Sequence, residues 1–383
     1  MHGTIESLFR VEWRPLGELA SLAADWRALA ARALEPNVFY EPSFALAAAP
    51  VFGHDVGAGL VWSRTTPQRL VGVFPARIER RRYGAGLPVM VGWTHPYAPL
   101  GVPLVDREFA DAAIAAWLEH LGTQATMPRL LLLPYMTAGG PFAAAFEAAL
   151  TRRGGASVAF ASHERALLEP GDDRAGYLDH ALGRRKRKEL GRQIRRLGDA
   201  GVVTSNIAAD PATLTSALDD FLRLEADGWK GRAGTAAHGH AELRTFLQTA
   251  VPQLATEGKA RIARLFLDER AIAAIIVLQS GDTAWTWKIA YDESVARASP
   301  GMQLLLRVTT SLLDDPGVVR ADSCASANHP MINHVWRERL ALSDRLVRVG
   351  SGGATAFRLA RTLEAARRSA IAAAKRARDL LRR

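Results

Sequence analysis

Residues 260–313 read ARIARLFLDERAIAAIIVLQSGDTAWTWKIAYDESVARASPGMQLLLRVTTSLL, and this stretch decides the fold. Its first part contains three β-rich runs, which are separated by polar breaks at residues 268–270 and 281–282. Such runs joined by tight turns predict an antiparallel meander. The third run alternates in polarity, which predicts that one face of its strand is shared by Trp285, Trp287, Ile289 and Tyr291.

A helix is predicted directly after the meander and its short polar loop. Ser299 is a candidate N-cap, Pro300 suits the first helical position, and Gly301 lets a ligand approach the backbone. A helix start presents N–H groups that lack intrahelical partners, together with the positive end of the helix dipole. We therefore expect an anion-binding site at these residues and the next two, Met302 and Gln303.

The net charge of +10 is concentrated in two segments of the chain. Residues 184–196 and residues 354–383 each carry a charge of +7, so the rest of the chain carries −4. This distribution argues against general nucleic-acid binding and favours two local basic patches. We expect such patches to suit a nucleic acid or an anionic membrane surface.

Cysteine content and hydropathy bear on the cellular compartment. The single cysteine, Cys324, excludes an internal disulfide framework and a multi-cysteine zinc site, and we expect no metal. We interpret it as a small residue of a strand at 318–325. No apolar run reaches transmembrane length, and the first ten residues lack the apolar core of a signal peptide. We therefore expect a cytoplasmic protein.

Three segments of the second half follow one another in an informative order. They are the basic amphipathic helix at residues 184–196, WKGRAGTA at 229–236, and SPGMQLL at 299–305, which follows the meander. In this order they resemble the branch of the GNAT N-acyltransferase superfamily that is related to the Fem-type peptidoglycan aminoacyltransferases and is found beside polysaccharide biosynthesis functions. The usual Gln/Arg-x-x-Gly-x-Gly/Ala fingerprint is absent, and ANHPMI at 327–332 stands where many relatives carry Gly-Asp-x-x-Tyr-Lys. These departures leave the acceptor and the catalytic residues open.

The resemblance implies a mixed α/β (α+β) fold with two GNAT-like folds in tandem, each a mostly antiparallel central sheet flanked by helices. We expect a degenerate N-terminal copy at residues 1–168 and an acyl-CoA-binding copy at 169–353. A basic C-terminal helix is expected at 354–383. Within the second copy, residues 329–342 are predicted to form a helix.

The resemblance also implies acetyl-CoA as co-substrate and direct acyl transfer to an amine in a ternary complex. Residues expected to bind the cofactor, in addition to the loop at 299–303 (Ser299, Pro300, Gly301, Met302 and Gln303), are Ile289 and Ala290. Candidates for proton transfer are Asp322, His329 and Tyr291. Candidates for binding the acceptor are Trp229, Lys230, Asp292 and, in a Pro- and Gly-rich loop of the first copy, His95 and Tyr97. Structural alternatives stay open: Asp322 acts as a cap or pairs with an arginine, His329 begins a helix, and His95 is an ordinary loop residue.

Three functions remain in competition at this point. The first is an acyl-CoA-dependent N-acyltransferase that acts on a small amine, which the resemblance associates with sugars or the cell envelope. The second is a Fem-like aminoacyltransferase that uses aminoacyl-tRNA, with the helix at 184–196 holding phosphates. The third is an inactive GNAT-fold binding protein. Binding of acetyl-CoA separates the first from the others, and salt-sensitive tRNA binding separates the second from the third.

Overall fold

The computed structural model describes residues 8–84 and 86–381, apart from the side chains of Lys230, Asp379, Leu380 and Leu381. The strands are β1 Phe9–Pro15, β2 Val56–Ser63, β3 Leu70–Glu79, β4 Val89–Gly92, β5 Leu104–Val105, β6 Leu130–Thr137, β7 Ala156–Leu168, β8 Val203–Ala208, β9 Ala260–Leu267, β10 Arg270–Ser280, β11 Thr283–Tyr291, β12 Arg320–Asp322 and β13 Glu338–Arg348. The α-helices are α1 Ala23–Ala30, α2 Pro42–Phe52, α3 Ala110–Thr123, α4 Pro141–Arg152, α5 Tyr177–Ala181, α6 Arg184–Gly198, α7 Pro211–Asp227, α8 Trp229–Arg232, α9 Ala241–Thr256, α10 Pro300–Asp314 and α11 Ala354–Leu381. Turns of 3-10 helix span Leu16–Leu22, Val38–Tyr40, Ala237–Gly239, Glu293–Ala298 and Ile332–His334.

The chain divides into two units, and neither unit is continuous in sequence. The first contains the residues up to 40, residues 53–163 and the residues from 341 onward, and the second contains residues 41–52 and 164–340. Residues 41–52 join the second unit because Phe44 and Phe52 of α2 pack edge-to-face on Phe246 of α9. The residues from 341 join the first unit because β13 pairs with β6. The expected boundaries at 168 and 353 stay a prediction.

The first unit is a mixed sheet with helices on its surface. Its strands follow the order β1-β2-β3-β4-β6-β13, with β5 attached to β3, and only β4 and β6 run parallel. Trp117 of α3 stacks on Trp13 and Phe74, with ring centroids 6.2 and 5.3 Å apart. Gly59 lies beneath this indole, where a Cβ would stand 2.3 Å from the ring, so the position requires glycine.

The second unit is a sheet in the order β7-β12-β11-β10-β9-β8, and only β11 and β12 run parallel. One set of alternating β10 residues, including Ile275 and Val277, packs in a core with α6 and α10. Helices α7 and α9 lie against the sheet as well, and α2 packs on α9. The three strands β9, β10 and β11 form the predicted meander, and α10 begins at Pro300 as predicted. The expected fold class, a mixed α/β fold with mostly antiparallel sheets flanked by helices, is therefore confirmed.

Two predictions about secondary structure are wrong. Residues 329–342 do not form a helix. Only Ile332–His334 form a turn of 3-10 helix, and β13 already begins at Glu338. The alternating sequence RLALSDRLV of β13 pairs with β6. The strand predicted at 318–325 is shorter, since β12 ends at Asp322 and Cys324 has a left-handed φ of 51°. Cys324 is therefore a turn residue.

The C-terminal basic segment is helical as predicted, and it packs through its first half. Ala360 and Glu364 of α11 are fully buried, whereas every side chain from Ser369 to Arg378 is exposed. Within the described residues, no helix is long and apolar enough to cross a membrane. Nor does the described part of the chain bring together three metal-ligating side chains in a group that could hold an ion.

Candidate functional site

The two parallel strands of the second unit part soon after they begin to pair. Residues 283–285 of β11 pair with residues 320–322 of β12, and β11 then continues to Tyr291 while the chain turns away at Cys324. A cleft of about 500 Å³ opens where the strands separate. The cleft is lined by Trp229, Ile275, Thr286, Trp287, Lys288, Ile289, Tyr291, Leu305, Ser323, Cys324, Ala325, Ser326, His329, Pro330, Met331 and Ile332.

A β-bulge at Trp287 determines which side chains enter the cleft. The register with β10 pairs Val277 with Thr286 but Ile276 with Lys288, so Trp287 is the extra residue. The predicted common face of the four aromatic and aliphatic residues is therefore wrong. Trp287 packs on Phe44, with ring centroids 5.4 Å apart, whereas Ile289 and Tyr291 pack in the core that contains α10.

The start of α10 lies directly behind the cleft wall. A Cβ on Gly301 would stand 3.2 Å from Cδ1 of Tyr291 and 3.4 Å from Cδ1 of Ile289, both of which line the cleft. Ser299 occupies the N-cap position with φ of 52°, but its hydroxyl makes no capping hydrogen bond. The first backbone hydrogen bond of the helix runs from the Gln303 N–H to the Ser299 carbonyl, at 3.0 Å.

The Gln303 side chain fixes the helix start against the basic helix α6. Its Nε2 donates to the carbonyl of Leu190 at 2.9 Å, and the side chain is buried. Leu190 and Leu197 of α6 are buried in the same core as Leu304 and Leu305 of α10. The arginines of α6 are exposed on its other face. The narrow apolar stripe predicted for this helix thus holds α6 beside the start of α10.

The family model described as acetyltransferase (GNAT) domain matches residues 184–328, which include the basic helix, the meander, α10 and β12. Residues 184–328 are therefore similar to a GNAT domain. The resemblance to the GNAT superfamily that the sequence predicts is thus confirmed.

Solved structures share the fold at low identity. The alignment with FemX covers 86% of this chain and 96% of the FemX chain, with a TM-score of 0.55 and 9% identity. A C-terminal DUF2156 domain from Agrobacterium fabrum, which is described as part of a lysylphosphatidylglycerol synthetase, covers 90% of this chain and 96% of its own, with a TM-score of 0.56 and 12% identity. A Bacteroides thetaiotaomicron protein of unknown function covers 85% of this chain and 96% of its own, with a TM-score of 0.51 and 11% identity. A search of curated proteins gave no match.

The carboxylate of Asp322 is hydrogen-bonded to buried partners. Its carboxylate accepts a hydrogen bond from Arg165, and both side chains are almost fully buried. Its other oxygen accepts the Cys324 N–H at 2.9 Å and so holds the turn where β12 ends. Asp322 does not line the cleft, whereas Cys324 and Ser323 beside it do.

His329 lines the cleft, and its ring orientation is defined by the backbone. Nδ1 accepts the N–H groups of Met331 and Ile332, at 3.3 and 3.5 Å. A neutral ring that accepts at Nδ1 carries its proton on Nε2. Burial lowers the pKa of His329. The side chain is therefore a neutral hydrogen-bond donor through Nε2 at physiological pH.

Tyr291 and Asp292 end β11 in different surroundings. Tyr291 lines the cleft beside Gly301, together with Ile289. Asp292 caps the following 3-10 turn by accepting the Ser294 N–H at 2.8 Å, and it pairs with Arg270 at 2.8 Å. Burial opposes the ionisation of Asp292, but these partners outweigh it and lower its pKa. Asp292 does not line the cleft.

Trp229 stands at the mouth of the cleft on the four-residue helix α8. Trp229 is 58% exposed, and its backbone N–H donates to the carboxylate of Glu293 at 2.8 Å. Gly231 allows the tight turn, because a Cβ there would stand 1.7 Å from the Ala226 carbonyl oxygen. Lys230 follows Trp229 on the same helix, and its side chain lies outside the described residues.

His95 and Tyr97 belong to the first unit. His95 packs on Trp93 with ring centroids 5.1 Å apart, and Tyr97 is buried.

Of the site residues predicted from the sequence, the structure brings Trp229, Ile289, Tyr291 and His329 together in one cleft. Sequence reasoning missed Lys288 and the cleft-lining role of Cys324. The available signal was that Lys288 is the single charged residue of this strand.

Proposed function

We propose that the protein is an acyl-CoA-dependent N-acyltransferase that transfers an acetyl or longer acyl group directly to an amine. The observation that carries this proposal is the separation of β11 from β12 beside the start of α10. A separation of this kind leaves one edge of β11 without a neighbouring strand over residues 286–291, among the residues the structure describes. The amide groups of a pantetheine arm are the kind of ligand that such an edge holds.

In this proposal the pyrophosphate of CoA binds at the start of α10. Gly301 and Met302 precede the first helical hydrogen bond, so their N–H groups point out of the helix end. Ser299 and Pro300 shape the turn, and Gln303 holds it on α6 through Leu190. The backbone of Ile289 and Ala290 places the thioester in the cleft, with an N–H group near the carbonyl oxygen.

Transfer then requires a neutral amine, an oxyanion donor and a proton donor for the leaving group. The amine nitrogen attacks the thioester carbon, the C–S bond breaks, the phenol of Tyr291 gives its proton to the CoA sulfur, and the proton lost by nitrogen returns to the phenolate through water. We assign the phenol of Tyr291 as donor to the thiolate and Nε2 of His329 as a hydrogen-bond donor to the carbonyl oxygen. Asp322 holds the Cys324 turn in place through its backbone hydrogen bond.

The acceptor is proposed to enter past Trp229, with Lys230 and Asp292 as further candidates for its recognition. The roles expected for His95 and Tyr97 of the first unit stay predictions. The fold resemblance associates this branch with amines of sugars or of the cell envelope. The donor is a metabolite of the cytoplasm, and we place the reaction there.

A second candidate is transfer from aminoacyl-tRNA, and the exposed arginines of α6 favour it. This helix lies against the start of α10 through Leu190. If the phosphates of a tRNA bind there, the logarithm of the association constant should fall steeply with the logarithm of the salt concentration, since each neutralised phosphate releases a counterion.

The test is calorimetric titration of the purified protein with acetyl-CoA, and with total tRNA at several salt concentrations. Micromolar binding of acetyl-CoA with a shallow salt dependence supports the first candidate. Binding of tRNA with a steep salt slope, and none of acetyl-CoA or longer acyl-CoA, refutes it in favour of the second.

A further inference from the structure

The cleft of the second unit has an apolar floor. Three of its lining residues are at the same time buried members of the core around α10, and they are Ile275, Leu305 and Ile332. They come from β10, from α10 and from the 3-10 turn that begins at Ile332. Their exposed fractions are 1%, 1% and 4%. The floor is therefore a place where three elements meet and to which water has almost no access.

This floor lies on the side of the sheet that carries α10. Ile275 stands directly opposite Ile289 in the register of β10 and β11, so both side chains point to the same face. Ile289 packs against the core that contains α10, and Leu305 follows Gly301 by about one turn of that helix. In the proposed function the pyrophosphate of the donor binds at the start of α10. The floor is therefore on the side of the cleft that the donor occupies.

The floor suits a hydrocarbon chain better than it suits the pantetheine arm of the donor. The amide groups of the arm need hydrogen-bond partners once they leave water, and the side chains of Ile275, Leu305 and Ile332 contain no polar atom. The edge of β11 supplies such partners from its backbone, so the arm binds along the strand and leaves the floor to another group. A dry apolar cavity takes up apolar ligands.

The size of the cleft favours more than an acetyl group. Its volume of about 500 Å³ lies within the range of sites that enclose whole small ligands. An acetyl group ends in a single methyl group, which would leave most of the apolar floor without a contact. Met331 lines the cleft as well, and its flexible thioether side chain can adapt to chains of different length.

We propose that the acyl donor carries a saturated aliphatic chain longer than acetyl, and that Ile275, Leu305 and Ile332 bind this chain. The inference rests on the proposed function, because it assigns the acyl group of the same donor. The reaction is unchanged: the amine nitrogen bonds to the acyl carbon, the C–S bond breaks, Tyr291 gives its proton to the CoA sulfur, and the proton lost by nitrogen returns to the phenolate through water. The chain takes no part in these steps and contributes to binding.

The experiment is calorimetric titration of the protein with acetyl-, butanoyl-, hexanoyl- and octanoyl-CoA, which requires no acceptor. The CoA part is identical in the four donors, so the differences in Kd report on the chain. Each methylene group that becomes buried should tighten binding by about fourfold, until the floor is filled. The heat capacity change of binding should become more negative along the series, as expected when apolar surface is buried.

Variants of α10 test whether the chain lies on this floor. Leu305→Phe should fill the floor and flatten the dependence of Kd on chain length, whereas Leu305→Ala should enlarge it and extend the gain to longer chains. Leu304→Ala is the matched control, because Leu304 is as buried as Leu305 in the same core but does not line the cleft. It should keep the wild-type series. Met331→Trp narrows the cleft from a half-buried position and should flatten the series even if Leu305→Phe does not fold.

The possible failures of the inference and of the proposed function are distinguishable. Equal Kd values for the four donors in wild type would overturn the inference and leave the proposed function standing. A series that tightens as steeply in folded Leu305→Phe and Met331→Trp as in wild type would also overturn it, because the chain would then bind elsewhere. Failure of the wild-type protein to bind any of the four donors would overturn the proposed function and the inference together.

Discussion

Replacing Ser299 by aspartate should weaken the binding of acetyl-CoA while leaving the fold intact. Ser299 has φ of 52° and ψ of 51°, is half-buried, and caps α10 without a side-chain hydrogen bond. Aspartate tolerates this left-handed conformation better than most residues, and it is a good N-cap. Ser299→Asp should therefore keep or raise the free energy of unfolding, by up to about 1 kcal/mol. The same carboxylate would oppose an anion at the N–H groups of Gly301 and Met302.

The size of the effect follows from the charge. For a phosphate oxygen about 6 Å from the new carboxylate, an effective dielectric constant of about 20 gives a repulsion of about 2.8 kcal/mol. Screening with a Debye length of about 8 Å reduces this to about 1.3 kcal/mol. These limits correspond to a loss of affinity of about 10- to 100-fold.

The assay is calorimetric titration with acetyl-CoA, and Ser299→Asn is the matched control. Asparagine has the same size and also tolerates the left-handed region, but it carries no charge. We expect Ser299→Asn to bind nearly as wild type does and Ser299→Asp to bind more weakly, with the difference shrinking at high salt. Equal affinities for the two variants would refute the placement of the pyrophosphate at the start of α10.

Three further predictions concern pH and stability. First, protonation of His329 at Nδ1 would break its bonds from Met331 and Ile332, so below the ordinary histidine pKa of 6.5 the rate of acyl transfer should fall more steeply with pH in wild type than in His329→Asn, where protonation of the acceptor amine alone remains; equal slopes would contradict the assignment. Second, burial opposes ionisation of Glu364, but the hydrogen bonds from Arg82 and the charge of Arg368 outweigh it and lower its pKa, so its stabilisation is present above the ordinary glutamate pKa of 4.5 and is lost as pH falls further. Glu364→Gln should cost about 3–5 kcal/mol in urea unfolding at pH 7, and a cost that does not shrink in acid would contradict this account. Third, removal of residues 370–383 should change the unfolding midpoint by less than about 2 °C, because the side chains of Ser369 to Arg378 are exposed, and a larger loss would show that this half of α11 packs on the body.

The meander and the start of α10 could be predicted because their signals are local. Turn residues separate the three strands, and Pro300 fixes the first helical position. The composition of residues 184–196 likewise predicts an amphipathic basic helix, and the structure has α6 at Arg184–Gly198. The order of these segments along the chain is the feature from which the resemblance to the GNAT superfamily was predicted.

The bulge at Trp287 could not be predicted from the alternating pattern. Periodicity assigns faces only while the ladder is regular, and here one extra residue moves Ile289 and Tyr291 to the other face. The pairing of Asp322 with Arg165 depends on two residues 157 positions apart that meet through β7 and β12. The turn at Cys324 after β12 depends on the same carboxylate, which also accepts the Cys324 N–H.

The helix predicted at 329–342 failed for a related reason. Met331, Val335 and Trp336 have helical spacing and pack in the core, but they do so from a 3-10 turn and the chain that follows it. The pairing of β13 with β6 then decides the conformation from Glu338 onward. Tertiary contacts of this kind outweigh local propensity.

Protection of Cys324 from alkylation tests the central claim most directly. Cys324 is the only cysteine of the chain, and it lines the cleft where β11 and β12 part. Burial raises the pKa of its thiol, so the reaction with iodoacetamide should be followed at alkaline pH. We predict that acetyl-CoA slows the modification with a saturable, micromolar concentration dependence. An unchanged rate at acetyl-CoA concentrations that saturate the protein by calorimetry would contradict the placement of the acyl donor in this cleft.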